Sequence, residues 1–254
     1  MVMDNPLDRM NVLVTGASGG LGQAIVERLA AEGATPIIHF ARNEAAAHAL
    51  LERIGGKGHV VQGDLSSREG PEELWSKAVH AARRIHAVVN AAGIRTEVAL
   101  TDSLETWHSA WQGEFQVNLF AAADLSRNAI LHFKQNGGGR IINIASRAGQ
   151  RGYSADAMAY GASKAALINL TKSIARSFGG DGVTAIAIAP GWIRTDMAED
   201  FIAKNGEAAA VADIPIGAMA LPEEVAELTA FVLRPSQRSL NGATLDVNGG
   251  SYIR

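Results

Sequence analysis

Tyr160 and Lys164 are the residues of this sequence whose types and spacing best suit acid–base chemistry. On a helix, side chains four positions apart lie one above the other, with about 5–6 Å between their Cβ atoms. An ammonium in that position favours the phenolate and lowers the pKa of the tyrosine. A fall from about 10 to about 7 needs roughly 4 kcal/mol. A lysine near the surface does not supply that much, whereas a desolvated cleft with a second positive charge does. The pair alone also occurs on solvated helix surfaces, so its meaning depends on the elements around it.

The composition limits the classes of function open to the chain. Its 254 residues suffice for one large α/β domain or two small ones. A net charge of −3 gives no reason to expect a nucleic-acid partner or binding to a membrane surface, and no apolar run approaches the ~20 residues of a membrane span. The absence of cysteine excludes disulfides and fits a reducing compartment, so a cytoplasmic location is expected. None of the seven histidines has metal-ligand spacing with a carboxylate, and we expect no metal site.

Short apolar runs alternate with longer amphipathic stretches from end to end. The runs predict seven strands, at 12–14, 36–38, 59–61, 87–89, 141–144, 184–188 and 244–247. The stretches between them predict helices at 21–32, 44–54, 72–83, 104–133, 158–178 and 222–233. Continuous apolar strands indicate burial on both faces. We therefore predict one Rossmann-type domain over residues 1–254, an α/β fold with a doubly wound, seven-stranded parallel sheet and helices on both faces. The less regular stretch 192–220 is a candidate substrate lid.

A glycine-rich loop follows the first predicted strand and leads into the first predicted helix. Glycines there let the backbone approach a pyrophosphate closely, and the helix N-terminus presents unpaired N–H groups to it. A glycine loop alone is weak evidence, but this position makes a dinucleotide site the favoured interpretation. The candidate binding residues in the loop are Gly16, Ser18, Gly20, Leu21 and Gly22.

The end of the second strand bears on which dinucleotide is bound. An NAD site usually has an acidic residue about 20 positions after the glycine loop, and none stands there. Arg42 is placed instead to bind a 2′-phosphate, so the sequence favours NADP over NAD. The alternative is an ordinary surface arginine. Asp64, after the third strand, either accepts from an adenine amino group or caps the next helix.

Two further residues complete the set of candidates. Ser146 ends the fifth strand, where its hydroxyl is placed to hold a substrate oxygen beside Tyr160. Asn118 lies inside a predicted helix, where asparagine is mildly unfavourable. With them, the chain resembles the short-chain dehydrogenase/reductase family from Val12 to Gly250. The resemblance rests on TGASGGLG at 15–22, Asp64-Leu65, NAAG at 90–93, Asn118, Ser146, YGASK at 160–164, PGWIRT at 190–195 and LDVNGG at 245–250.

This resemblance implies an enzyme that transfers a hydride between a nicotinamide cofactor, NADP or NAD, and a carbonyl or secondary alcohol. It implies that Tyr160 is the catalytic acid and base, that Ser146 orients the substrate oxygen, and that Lys164 lowers the pKa of Tyr160 and binds the nicotinamide ribose. Asn118 would hold a water that extends the proton relay. Together with the glycine loop and Arg42, the implied cofactor contacts are Asp64, Leu65, Asn90, Ala91, Gly93, Tyr160, Lys164, Pro190, Ile193 and Thr195.

The sequence departs from the family pattern in places that affect the site. Ala91 replaces the usual second asparagine of NNAG, so the support of the fourth strand is expected to differ. Ser146 and Tyr160 are one residue further apart than is usual, which indicates an enlarged loop at 147–159. Gly19 replaces an arginine often found in NADP-dependent members. Tyr153 is a rival base, but the residue four positions on is Ala157, so it lacks a lysine partner.

The substrate and the assembly are the least determined properties. The overall similarity favours 3-oxoacyl-[acyl-carrier-protein] reductase-like members. The alternatives are an NAD-dependent alcohol, sugar or polyol dehydrogenase and a non-catalytic dinucleotide sensor. Arg95, among others, is placed to meet an anionic substrate. The resemblance implies a homotetramer with helices 104–133 and 158–178 between subunits, and Trp107 and Trp111 are either interface or core residues.

Overall fold

A parallel sheet of seven strands organises the protein. The computed structural model describes residues 5–254 apart from the side chains of Asp196, Met197 and Asp200. The strands are β1 (Asn11–Val14), β2 (Thr35–Phe40), β3 (His59–Gln62), β4 (Ala87–Asn90), β5 (Gly139–Ile144), β6 (Val183–Pro190) and β7 (Thr244–Val247). They lie in the order β3-β2-β1-β4-β5-β6-β7, and every neighbouring pair is parallel. The predicted Rossmann-type fold class is confirmed.

Helices connect successive strands and cover both faces of this sheet. They are α1 (Gly20–Ala31), α2 (Glu44–Arg53), α3 (Gly70–Ala82), α4 (Leu104–Phe115), α5 (Ala121–Gln135), α6 (Ala148–Arg151), α7 (Met158–Phe178), α8 (Asp196–Asn205), α9 (Glu207–Val211) and α10 (Pro222–Leu233). Helices α4 and α5 are joined by a π-helical turn at Gln116–Phe120, so the helix predicted at 104–133 is correct in extent but not in regularity. Turns of this kind occur often at functional sites, and this one contains Asn118.

The apolar strands are buried because each face of the sheet packs against its own helical layer. Val12 and Val14 belong to one core cluster, whereas Leu13 between them belongs to the other. Successive side chains of a strand point to opposite faces, so β1 contributes to both cores.

Strand order reverses between β1 and β4, because the chain moves outward to β2 and β3 and then returns to the other side of β1. Open α/β sheets bind ligands in the crevice outside the carboxyl ends of the strands at such a point. Beyond β6, the stretch predicted as irregular contains α8 and α9. These helices pack on a small cluster of their own, in which the Trp192 and Phe201 rings are 4.8 Å apart.

Candidate active site

A cleft of about 640 Å³ lies at the carboxyl edge of the sheet, bounded by the loops that follow β1 to β6. It brings together most of the residues singled out in the sequence. Those that line it are Gly16, Ser18, Gly20, Leu21, Gly22, Arg42, Asp64, Leu65, Ala91, Gly93, Ser146, Tyr160, Lys164, Pro190, Ile193 and Thr195. Asn90 and Asn118 are buried behind its wall.

The glycine loop after β1 is shaped so that side chains are excluded from it. Gly16 has φ +65°, and a Cβ there would lie 2.9 Å from Cα of Ala92. A Cβ on Gly22 would lie 2.2 Å from the carbonyl oxygen of Gly16. Helix α1 begins at Gly20, and its N-cap residue Gly19 makes no side-chain capping hydrogen bond. The first turn therefore has N–H groups without a side-chain cap at the cleft, which is the arrangement that a pyrophosphate requires.

Two polar residues that the sequence did not single out support this loop. The Thr15 hydroxyl oxygen accepts from the backbone N–H groups of Ala91 and Ala92, both at 3.0 Å. These bonds join the loops after β1 and β4, so the hydroxyl of Thr15, just after β1, supports the loop in which Ala91 replaces the second asparagine.

His39, at the end of β2, is the second of these supports. Its Nδ1 accepts from the Gly16 N–H at 3.0 Å, and its Nε2 lies 3.1 Å from the Gly63 carbonyl oxygen. Burial lowers the pKa of His39 to about 4, so the ring is neutral at physiological pH and Nε2 donates to Gly63. His39 therefore ties the glycine loop to the loop after β3. Its place at the end of a buried strand was the available clue in the sequence.

Arg42 and Asp64 face the cleft from the ends of β2 and β3. Within the described part of the chain, the Arg42 guanidinium forms no ion pair, and its side chain is exposed. Oδ1 of Asp64 accepts from the backbone N–H and the hydroxyl of Ser66 at 2.9 and 2.6 Å. These hydrogen bonds lower the pKa of Asp64, and the nearby charge of Arg42 adds to the effect. Asp64 thus closes a local turn and does not cap α3, which begins at Gly70.

Asn90 supports the cleft from below. Its Nδ2 donates to Oδ1 of Asn143 at 2.8 Å, and Asn143 donates in turn to the Thr171 hydroxyl at 2.8 Å. This chain of polar side chains joins β4, β5 and α7 under the floor of the site. Asn90 therefore acts on the site through the sheet.

Ser146, Tyr160 and Lys164 stand together on the cleft wall formed by the end of β5 and by α7. Lys164 is buried, and its Nζ donates to the carbonyl oxygen of Ile144 at 2.9 Å. Burial lowers the pKa of Lys164 to about 8, while the nearby carboxylate of Glu114 opposes the fall. The ammonium lies 5.8 Å from the centre of the Tyr160 ring. The helical spacing of the pair therefore does bring the charge to the tyrosine.

The pKa of Tyr160 in the protein alone is shifted upward, whereas the spacing of Tyr160 and Lys164 predicts a downward shift. Burial raises the pKa of Tyr160 to about 12, and a hydrogen bond with Ser146 only partly opposes this. Lys164 alone therefore does not produce a phenolate at neutral pH. A hydroxyl with this pKa is protonated, which suits a proton donor to a carbonyl oxygen.

Asn118 lies in the π-helical turn and is fully engaged. Its Oδ1 accepts from the Ile94 N–H at 2.8 Å, and its Nδ2 donates to the Ile94 carbonyl oxygen at 2.9 Å. The same Nδ2 donates to Glu114 at 2.7 Å and to the Ser163 hydroxyl at 3.1 Å. Glu114 is buried, and none of the motifs in the sequence includes it. Its position one helical turn before Asn118 was the available clue.

The substrate side of the cleft carries two aromatic residues and a cation. The Tyr153 ring lies 5.6 Å from the Tyr160 ring, and the Arg95 guanidinium lies 5.5 Å from the centre of the Tyr153 ring. Arg95 also pairs with Glu97 at 2.8 Å. Trp192 also lines the cleft. The enlarged loop predicted at 147–159 contains α6 and a short 3-10 helix at Ala155–Ala157.

Among the side chains that the structure describes, no group of three or more histidine, aspartate or glutamate residues is arranged to hold a metal ion. No helix in the described part of the chain is both long and apolar enough to cross a bilayer.

Comparison with known proteins agrees with this geometry. A family model described as enoyl-(acyl carrier protein) reductase matches residues 16–252. The 3-oxoacyl-[acyl-carrier-protein] reductase of Vibrio cholerae is 35% identical over 243 residues, which cover 95% of this chain and 96% of that protein. The Synechocystis protein of the same name is 36% identical over 248 residues, with 95% and 96% covered. The crystal structure of a Beutenbergia cavernae protein assigned as an NAD(P)-dependent gluconate 5-dehydrogenase, with NADP bound at low occupancy, superposes with a TM-score of 0.89 at 30% identity. It covers 98% of this chain and 99% of its own.

Proposed function

Because the chain belongs to the short-chain dehydrogenase/reductase family and is therefore an NAD(P)-dependent oxidoreductase, we propose that it reduces a ketone to a secondary alcohol with NADPH. The observation that carries the proposal is that Ser146, Tyr160 and Lys164 line the same cleft as the glycine loop. One end of the cleft suits a dinucleotide phosphate, and the other holds a proton donor.

The residues of the cleft divide the chemistry among them. When bound, the cofactor supplies the hydride that adds to the carbonyl carbon. As negative charge grows on the carbonyl oxygen, Tyr160 donates its proton there and the Ser146 hydroxyl stabilises the charge. The Lys164 ammonium, held by Ile144, stabilises negative charge that develops on the Tyr160 oxygen. Lys164 Nζ and Asn118 Oδ1 would lie 3.2 and 3.3 Å from a Cβ at Gly93. Both atoms therefore border Gly93, and we place a proton relay from Lys164 toward Asn118 beside that residue.

Arg42 supports NADP as the preferred cofactor. Its guanidinium is free of ion pairs within the described residues, lines the cleft at the adenine end and offers the fork of donors that a 2′-phosphate accepts. The structural neighbour has NADP bound. The positive charge of Arg42 can therefore bind the 2′-phosphate without breaking an ion pair within the described residues.

The substrate that we propose is a 3-oxoacyl thioester, which the names of the bacterial and cyanobacterial relatives support. A second candidate is an oxo acid of the sugar type. It is favoured by Arg95, whose side chain is 10% exposed and whose buried Nε has no hydrogen-bond partner in the described part of the chain. We also propose that the segment 192–220, with Trp192 at the cleft, covers the substrate.

A substrate panel tests this proposal. With NADPH as donor, we expect a 3-oxoacyl thioester to be reduced with a higher kcat/KM than neutral ketones, oxo sugar acids or the reverse reaction with polyols. Faster turnover of an oxo acid, lost on Arg95→Met while thioester reduction persists, would instead support the second candidate. If no carbonyl compound in the panel were reduced, the proposed function would be wrong.

A homotetramer is the proposed assembly. Helix α4 buries only Glu114, and the rings of Trp107, Trp111 and Phe115 form a half-exposed row along it, with neighbouring centroids 5.6 and 5.8 Å apart. Leu104 and Phe120 add exposed apolar surface, at 69% and 51%. Contiguous exposed apolar side chains are typical of interfaces, and we assign Trp107 and Trp111 to the proposed interface.

A solution mass near four protomers by light scattering is the expected result, and a monomer at micromolar concentration would contradict it. A cytoplasmic location, suggested by the absence of cysteine, belongs to the same proposal and is tested by cell fractionation.

A further inference from the structure

Glu114 is a buried carboxylate that the proposed chemistry does not use. It is the only residue of α4 that is buried, at 0% exposure, and its neighbours on the helix are half-buried or exposed. Burying an ionisable group without compensation is costly, and an apolar side chain of similar volume would be less so. A carboxylate at this position therefore calls for a specific explanation.

The contacts of Glu114 explain how the carboxylate is held. Oε1 accepts from the backbone N–H of Thr96, and Oε2 accepts from Nδ2 of Asn118 at 2.7 Å. Asn118 in turn holds Ile94 through both its N–H and its carbonyl oxygen. One carboxylate thus joins α4, the π-helical turn and the loop that follows β4. A neutral glutamine could accept with its single oxygen but not with its NH2 group.

The charged and titratable groups around Glu114 are those of the active site. From α7 it faces Lys164 and Tyr160, and Arg95 lies on the loop that it holds. Burial raises the pKa of Glu114, and the hydrogen bond from Thr96 and the ammonium of Lys164 oppose that rise. The negative charge of Glu114 raises the pKa of Lys164 and of Tyr160. Both effects favour the ammonium form of Lys164 and the neutral phenol of Tyr160.

We propose that Glu114 is a positioning residue of this active site, which fixes Asn118 and the Ile94–Thr96 loop and provides the buried negative charge that keeps Lys164 and Tyr160 protonated. The proposal rests on the roles given above to Tyr160 and Lys164. Glu114 lies outside the sequence motifs of the site. In this proposal it sets the pH range over which Tyr160 and Lys164 remain protonated.

The test is the pH profile of ketone reduction by Glu114→Gln. Reduction requires a protonated Tyr160 and an ammonium at Lys164, so activity is lost as pH rises through either pKa. Removal of the negative charge lowers both of these pKa values. We expect the alkaline limb of kcat to move to lower pH by about one unit, a size typical of losing one neighbouring charge. Glu114→Asp, which retains the charge, should keep the limb close to its wild-type position.

Glu72→Gln is a matched control, because Glu72 also accepts from an asparagine side chain, Nδ2 of Asn128 at 2.8 Å, but lies outside the cleft. It should leave the profile unchanged. A folded Glu114→Gln protein with lower kcat and an unmoved alkaline limb would show a purely structural role and overturn the inference. If Glu114→Gln does not fold, Glu114→Met decides by the same criterion.

Wild-type turnover is measured first on the same substrate. Absence of wild-type turnover counts against the proposed function. If wild type and Glu114→Gln are both active and the alkaline limb of kcat does not move, only the role proposed for Glu114 is wrong.

Discussion

Replacement of Tyr160 by phenylalanine is expected to lower kcat for ketone reduction by about 10²–10⁴-fold, the usual contribution of a general acid. The substitution removes one hydroxyl and keeps the ring, which is half-buried in the cleft wall. Without that hydroxyl, the growing charge on the carbonyl oxygen has no proton donor, and Ser146 alone stabilises it. The dinucleotide phosphate end is untouched, so NADPH affinity should change little. Steady-state kinetics and cofactor fluorescence titration measure the two effects separately.

Tyr153→Phe is the matched control for this experiment. Tyr153 lines the same cleft, and its ring lies 5.6 Å from that of Tyr160. Tyr153 lies outside the helices, and the cation near its ring is the Arg95 guanidinium, which is paired with Glu97. No lysine stands four positions after it, where Ala157 lies. We expect Tyr153→Phe to retain most of the wild-type kcat. If the two variants lost activity equally, or if Tyr160→Phe remained substantially active, the assignment of the proton donor would be wrong.

Replacement of Arg42 by alanine should raise the KM for NADPH by about 10–100-fold, because a hydrogen bond to a charged group contributes roughly 1.5–3 kcal/mol. The KM for NADH should stay the same, since NADH has no 2′-phosphate for the guanidinium to bind. Arg42 is exposed and makes no ion pair within the described residues, so its loss should not disturb the fold. Parallel kinetics with both cofactors measure the change in preference.

Arg238→Ala controls for the loss of a surface charge, because Arg238 is also exposed but lies outside the cleft. It should affect neither cofactor. An unchanged NADPH affinity in Arg42→Ala would remove the main structural support for NADP preference. An equal rise in the KM for both cofactors would mean that Arg42 acts on a part of the dinucleotide common to both.

The elements of the fold could be predicted because their causes are local in the chain. Buried parallel strands need continuous apolar runs, and Val12–Val14 is such a run with both faces covered. The glycine loop was recognisable because Gly16 and Gly22 occupy places where a Cβ would meet backbone atoms. In both cases, the recognisable pattern lies in consecutive residues, although the Ala92 backbone that a Cβ at Gly16 would meet is distant in the chain. The irregular stretch after β6 was harder to predict, since α8 and α9 pack mainly on their own small cluster.

The sequence by itself determined the parallel α/β fold, the position of the glycine loop and the spacing that brings the Lys164 ammonium to the Tyr160 ring. Only the tertiary structure decided the electrostatics of the site. His39 meets Gly16 and Gly63, and Glu114 meets Thr96, across separations of 18 or more residues. Their places in the chain could draw attention to them, but no local pattern encodes these contacts. The pKa of Tyr160 depends on burial, which raises it to about 12. Spacing determines which groups can meet, whereas the pKa depends on how much water folding removes around them.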